Sequence, residues 1–323
     1  MASVLSSSSP APAVTGLFDF QINGFGGVDF QDEKLNLADF EHAVSSLRKH
    51  QVAGIFTTFV TDYVDALIRK LENFERLCAA SPESGSIVVG YHLEGPWMWP
   101  EAGYRGAHPA EPMHAPSIPE FEKFQKAANG RVRLVTLAPE WPGSSEVIRE
   151  LTQRGISVAL GHTNASEAQI DAAIEAGARF CTHLGNGTPV QMARHDNIIQ
   201  RLLARDEMFA CLIPDGIHLP PFVLKNFYRA KPPGRVLFTT DAMAGAGAGV
   251  GRYKIGELDI EVGVDGIARN PGGQGFAGST LTPDEGVRRT AAYLNLSIAT
   301  ATELWSSAAA TAFGVKLPAL SLA

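Results

Sequence analysis

The stretch SIVVGYHLEGPW, residues 86–97, decides how the rest of the chain is read. The apolar run Ser86-Ile87-Val88-Val89-Gly90 leads into a His and a Glu two positions apart, and Gly95-Pro96 then breaks it. A short run that is apolar on both faces and closed by turn residues reads as a parallel strand buried from both sides. Its end carries an imidazole and a carboxylate, groups that are costly to bury unless paired or metal-bound. His92 and Glu94 are therefore either a satisfied core pair or part of a metal or acid–base site. The ends of the other apolar runs decide between these readings.

Seven more such runs occur: Leu17–Gln21, Gly54–Thr61, Arg131–Pro139, Ile156–Gly161, Ala178–His183, Met208–Asp215 and Arg235–Asp241. Between them lie amphipathic segments with helical spacing, among them LADFEHAVSSLRKH, DALIRKLENFERLCAA, SSEVIRELTQRG and SEAQIDAAIEAG. The last two are expected to start on Ser caps and to stop at Gly155 and Gly177. Eight strands alternating with helices predict an α/β fold, a (β/α)8 TIM-like barrel over residues 16–323. An open doubly wound sheet is the alternative, but INGFGG after the first strand has neither the dinucleotide-binding nor the P-loop spacing. Residues 252–276 interrupt the alternation with Asp-Gly and Gly-Gly turns and predict a hairpin-like excursion. LTPDEGVRRTAAYLNL and ATATELWSSAAATAFGV then read as helices.

Bulk properties narrow the function. The 323 residues carry a formal net charge of −7 with no basic block, which argues against nucleic-acid binding. Cys78, Cys181 and Cys211 are far apart and lack CxxC spacing, so they read as buried hydrophobes in a reducing compartment. No run is long enough to span a membrane. Residues 1–15 lack the regions of a signal peptide and read as a disordered lead-in, so a cytoplasmic enzyme is expected.

In a barrel the C-terminal strand ends face the active site. Here they carry Asp19, Gln21 and Asn23 on strand one, His92 and Glu94 on strand three, and His162 in GHTNA after strand five. His183 and Asn186 follow strand six, Asp215 and His218 strand seven, and Asp241 strand eight. One buried His or Asp of this kind is more often structural than functional. Strands three, five, six, seven and eight all end on a His or an acid, and these five converge on one cup if the barrel closes. Glu94, His162 and His183 then make a His₂Glu set for a divalent cation with an open position. Such a cation brings the pKa of a water toward about 7 and polarises a carbonyl, and Asp241 is placed to move the proton. The chemistry implied is hydrolysis of an amide-like or ester-like bond.

The motifs DFQINGFGG, HLEGPW, RGAHP, LAPE, GHTNA, THLGNG, PDGIH, FTTDAM and FAGSTLT run in this order across nearly the whole chain. On them the sequence resembles the N-acetylglucosamine-6-phosphate deacetylases of the amidohydrolase superfamily. The resemblance implies a homodimeric barrel that removes the acetyl group from an N-acetyl amino-sugar phosphate, most simply N-acetylglucosamine 6-phosphate, giving glucosamine 6-phosphate and acetate. An amidohydrolase acting on another N-acetylated sugar or amide is the alternative, and a barrel that binds without catalysis is a third. By motif, Glu94, His162 and His183 match the metal ligands. Asp241 matches the general base and acid, and His108 in GAHP the group that helps polarise the acetyl carbonyl. Asn186-Gly187 and Ala277-Gly278 match backbone contacts to substrate. His218 matches a sugar or phosphate contact, and Arg194 a phosphate-binding Arg that serves the partner subunit's site.

Where many amidohydrolases have His-x-His on strand one, this chain has Gln21 and Asn23. One divalent ion per subunit is therefore expected, with Zn first and Fe, Mn or Co as alternatives. His92, on the same strand face as Glu94, is a candidate to support the site from behind, as is Gln21; a His bonded to its surroundings in the core is the equal alternative for His92. The family's accessory β-sandwich reads as largely missing. Gly185 and Gly187 in THLGNG predict a wider site, and the ARHDN context of Arg194 predicts a different phosphate end.

Overall fold

The computed structural model describes residues 16–271 and 275–320, so the expected lead-in at 1–15 lies outside the described residues. The apolar runs form eight parallel strands that follow one another in sequence order around one sheet. They are strand one Leu17–Ile22, two Val52–Val60, three Val88–Glu94, four Val132–Leu137, five Ser157–Leu160, six Phe180–Cys181, seven Phe209–Leu212 and eight Val236–Phe238. A parallel bridge between Ile22 and Ala242 joins strand one to the exit of strand eight, and Asn23 N donates to Ala242 O at 2.7 Å. The sheet is thus a nearly closed barrel and not an open doubly wound sheet.

The helices between strands follow the local signals with two corrections. Helix Glu167–Ala176 starts at a Ser166–Gln169 capping box and ends at Gly177, whose φ of +117° suits glycine. Ser144, expected as a cap, is instead the first residue of helix Ser144–Gln153; Gly143 precedes it and Ser144 Oγ turns inward to Ala138 O at 3.4 Å. The segment 299–315 forms two helices, Ile298–Leu304 and Ser307–Ala312, not one. The break falls at Trp305, whose fully buried ring stacks near Phe238 while Nε1 donates to Thr290 Oγ1 at 3.0 Å.

The excursion after strand eight is a three-stranded antiparallel sheet of Gly251–Ile255, Leu258–Val262 and Ala268–Arg269. Its buried face, Ile260, Val262 and Ala268, packs on Met243, Ala244 and Ala277, and Gly256 N donates to Asp29 Oδ2 at 2.8 Å. Residues 272–274 of the expected excursion lie outside the described residues. No helix of the described residues is long and apolar enough to cross a membrane. The three cysteines are buried and free.

The barrel interior is layered. Phe18, Phe20, Phe56 and Phe180 fill its lower part around Phe313, which follows the last helix and stacks on Phe180 at 4.5 Å. Above them lies a polar layer. Asp19 accepts from the hydroxyls of Thr239 and Thr240, and burial pushes its carboxyl up to about 6. Above this layer the strand ends meet.

Candidate metal centre

Glu94 closes regular strand three, whereas His162 and His183 lie just past the short strands five and six. Both histidines take left-handed backbone, with φ of +52° and +26°, as does Asp241 after strand eight at +50°. A non-glycine residue rarely adopts this region. Here it turns each side chain out of the strand direction and toward the barrel axis.

The three side chains converge. His183 Nε2 lies 3.0 Å and His162 Nε2 3.4 Å from Glu94 Oε1, and the two Nε2 atoms are 3.1 Å apart. All three residues are buried. His162 Nδ1 donates to Tyr104 O at 2.9 Å, so its Nε2 presents a lone pair to the centre. Two imidazole nitrogens and a carboxylate oxygen packed this closely fit a divalent cation between them, in the donor set of an open His₂Glu site. His183 Nδ1 is buried and has no hydrogen-bond partner among the described residues.

Strand one supports the cluster from the side. Gln21 Nε2 donates to Glu94 Oε1 at 2.9 Å and to Asp241 Oδ1 at 3.2 Å, and Asn23 Nδ2 donates to the same Asp241 oxygen at 2.7 Å. Amide donors here offer hydrogen bonds where His-x-His would offer lone pairs. Burial opposes charge on Glu94, but its close contacts with the His162 and His183 rings outweigh it and hold its carboxyl well below the ordinary range. Burial and the charge of Glu94 push Asp241 up to about 7, against the opposing pull of His183, His218 and Asn23.

His108 joins the same cup. Its ring centre lies 4.5 Å from that of His162, and Nδ1 is 3.1 Å from Thr61 Oγ1. Burial and the neighbouring His162 push its imidazole down to about 3, so it is neutral at ordinary pH. His218 Nδ1 contacts Asp215 Oδ2 at 2.6 Å, and its ring lies 5.2 Å from Phe276. Ala277 is buried, and Gly278, at φ +63°, packs against Asp241 O. Asn186 donates from both its backbone and side chain to His183 O.

Two readings are decided on this geometry. His92 bonds Thr58 Oγ1 at 3.3 Å and Thr136 Oγ1 at 2.7 Å, so its ring is satisfied by hydroxyls in the polar layer and not by a ligand of the cluster. Gly185 and Gly187 do not widen the site. A Cβ on Gly187 would sit 2.8 Å from His162 Nδ1, and one on Gly185 2.9 Å from Phe227 Cε2. The space a side chain would take is already filled, and both residues have positive φ. Arg194 is exposed in the loop after strand six and forms no hydrogen bond or ion pair with the described residues, so a single chain does not bring it to the cluster. Sequence reasoning missed the Tyr104 carbonyl and the Thr61 hydroxyl, since a backbone acceptor or lone Thr has no motif of its own.

No protein-family model matches the chain. The chain is 32% identical over 311 residues, 95% of its length and 77% of the relative's, to N-acetylglucosamine-6-phosphate deacetylase of Bacillus subtilis. It is 31% identical over 297 residues, 92% of its length and 77% of the relative's, to N-acetylgalactosamine-6-phosphate deacetylase of Escherichia coli O157:H7. The structure of a mutant form of the Mycobacterium smegmatis N-acetyl-D-glucosamine-6-phosphate deacetylase in complex with N-acetyl-D-glucosamine-6-phosphate superposes with a TM-score of 0.85 at 30% identity, covering 98% of this chain and 84% of that one. The chain spans between 62% and 77% of the length of the curated relatives it matches. With the fold shared over almost all of the chain and relatives above 30% identity, the protein belongs to the N-acetylglucosamine-6-phosphate deacetylase family.

Proposed function

We propose that the chain is a carbon–nitrogen hydrolase that removes the acetyl group from an N-acetyl amino-sugar phosphate, N-acetylglucosamine 6-phosphate first. The products are glucosamine 6-phosphate and acetate. The observation that carries this reading is the convergence of Glu94, His162 and His183 beside Asp241 at one end of the barrel. Glu94, His162 and His183 hold one divalent ion per subunit, with Zn the first choice and Fe, Mn or Co the alternatives. When bound, the ion supplies Lewis acidity to the acetyl carbonyl and acidifies the water that attacks it.

The chain's own groups do the rest. Gln21 and Asn23 occupy Asp241 Oδ1, which leaves Oδ2 to take the proton from the attacking water. Asp241 then gives that proton to the nitrogen as the C–N bond breaks. With the Thr61 hydroxyl donating to His108 Nδ1, His108 Nε2 carries a proton toward the acetyl oxygen. Asn186, Gly187, Ala277 and Gly278 offer backbone contacts, and His218 takes a sugar hydroxyl or the phosphate. The exposed Arg194 supports a homodimer in which it reaches the partner's phosphate. The free buried cysteines support a cytoplasmic location.

The test is acetate release from N-acetylglucosamine 6-phosphate by metal-free protein reloaded with Zn²⁺, Fe²⁺, Mn²⁺ or Co²⁺. No release with any ion, from the glucosamine, galactosamine or mannosamine isomer, overturns the reading. The Escherichia coli relative named for the galactosamine substrate favours one second reading, a preference for that epimer. Ranking the isomers by kcat/KM decides it.

A further inference from the structure

The ligand His162 sits on left-handed backbone at φ +52°, a conformation a histidine abandons unless its surroundings hold it. The residues that hold it come from the exit of strand four, the LAPE segment and the Trp that follows. Glu140 clamps the two residues after His162: Thr163 Oγ1 donates to Oε2 at 2.6 Å, and Asn164 N donates to Oε1 at 2.5 Å. Trp141 acts on the other side. Its Nε1 donates to Met98 O at 3.0 Å and its ring packs edge-on against Trp99 at 5.1 Å. Trp99 N in turn donates to His162 O at 3.1 Å. Strand four supplies no ligand, yet its exit grips the ligand-bearing turn both directly and through the loop after strand three.

We propose that Glu140 is a positioning residue for the metal site: by accepting from Thr163 and Asn164 it holds the His162 turn in the one backbone conformation that aims Nε2 at Glu94 and His183. This rests on the reading of His162 as a metal ligand. Both carboxylate oxygens are used, and a turn that relaxes from φ +52° swings Nε2 away from the cluster. Removing partners that orient ligands costs about 10–100-fold in metal affinity. Glu140 forms no hydrogen bond or ion pair with Glu94, His183 or Asp241, so its loss acts through the His162 turn.

The experiment titrates metal-free wild type, Glu140→Ala and Glu140→Gln with Co²⁺ and Zn²⁺, with no substrate present. Affinity is read by competition with a chromophoric chelator and by the visible Co²⁺ spectrum. Thermal unfolding is followed with and without metal. Wild type should bind, Glu140→Ala should bind about 10–100-fold more weakly, and Glu140→Gln, which keeps one carbonyl acceptor for Asn164 N, should fall between. The loss of Tm in Glu140→Ala should be larger with metal than without, because only the metal-bound state contains the positioned ligand. Wild-type affinity in Glu140→Ala, or an equal Tm loss with and without metal, overturns the proposal while leaving the proposed function standing. If Glu140→Ala does not fold, wild-type affinity in Glu140→Gln overturns it in the same way. No metal binding by the wild type overturns the site reading itself, and this proposal with it.

Discussion

Gly187→Ala tests whether the glycine of THLGNG is an opening in the site or a contact on a ligand. Two separable effects are expected. The first is backbone strain: Gly187 has φ +60°, and an alanine there costs about 1–2 kcal/mol. Unfolding entropy of about 2.1 cal/mol/K per residue over the 323 residues gives about 0.7 kcal/mol/K, so this strain lowers Tm by about 1.5–3 °C. The second effect is local. The new Cβ would lie 2.8 Å from His162 Nδ1, 2.9 Å from Cε1 and 3.3 Å from Cγ, closer than carbon and ring atoms approach. The ring meets this contact on its Nδ1 edge, the edge that also donates to Tyr104 O. It has to rotate, which breaks its bond to Tyr104 O and withdraws Nε2 from Glu94. A misplaced ligand of this kind weakens metal binding about 10–100-fold. The control is Gly234→Ala, at φ +79° with nothing within 4 Å of the new Cβ. It shares the backbone strain without the contact. Both variants should lose similar Tm when metal-free, and only Gly187→Ala should lose metal affinity in a chelator competition. Wild-type metal affinity in Gly187→Ala, with activity lost selectively on bulkier N-acyl substrates, refutes the reasoning and restores the idea of a widened site.

Asp241→Asn should bind metal normally but lose about 10²–10⁴-fold in kcat, since the amide neither takes nor gives the proton; metal content and turnover on the same sample check this. Asp19 should make stability fall with rising pH. Its carboxyl is raised by burial to about 6 in the fold from 3.8, so the fold favours the protonated form. The benefit is complete below pH 4 and lost by about pH 6, a change of about 3 kcal/mol. Denaturant unfolding of wild type and Asp19→Asn at several pH values should show wild type losing ground to the variant from pH 4 to 7; a constant difference refutes it. Phe313→Ala empties the lower barrel among Phe18, Phe20, Phe56 and Phe180 and should cost about 3–5 kcal/mol with metal affinity unchanged, measured by denaturant unfolding and metal titration.

The barrel was legible because a parallel strand buried on both faces leaves an uninterrupted apolar run, and eight of these were visible. The His or acid ending several of these runs was legible for the same reason: after Val88–Leu93, a glutamate at 94 stands out. What was not legible depends on partners distant in sequence. His92 had two readings until Thr58 and Thr136 were placed beside it from neighbouring strands. Gly185 and Gly187 looked like missing side chains, and only the positions of Phe227 and the His162 ring give their absence a structural reason. Ser144 had the residue type and spacing of a cap, yet its hydroxyl turns to Ala138 O because Gly143 supplies the turn. The break at Trp305 followed from burying a large ring against Phe238, which helical spacing alone does not signal.

The backbone at the three left-handed positions explains why so many supporting contacts surround so few functional groups. Glu94 reaches the centre from a regular strand, in a conformation any residue adopts, paired with Val60 on one side and Thr136 on the other. His162, His183 and Asp241 each sit where glycine would be at ease and where a side chain is disfavoured. Glycine offers no ligand or acid there, so the chain keeps the functional residue and fixes its carbonyl instead. Trp99 N holds His162 O, Asn186 N holds His183 O, and Ser279 N holds Asp241 O at 2.8 Å. Each of these donors lies on a loop at the top of the barrel: the loop after strand three, the loop after strand six, and the return from the excursion sheet. The excursion therefore has a direct connection to the chemistry, because Ala277, Gly278 and Ser279 fix the turn that carries the proton-transferring carboxylate. A change that loosened that sheet would reach Asp241 through its own carbonyl before it disturbed Glu94, His162 or His183, so activity should fail ahead of metal binding.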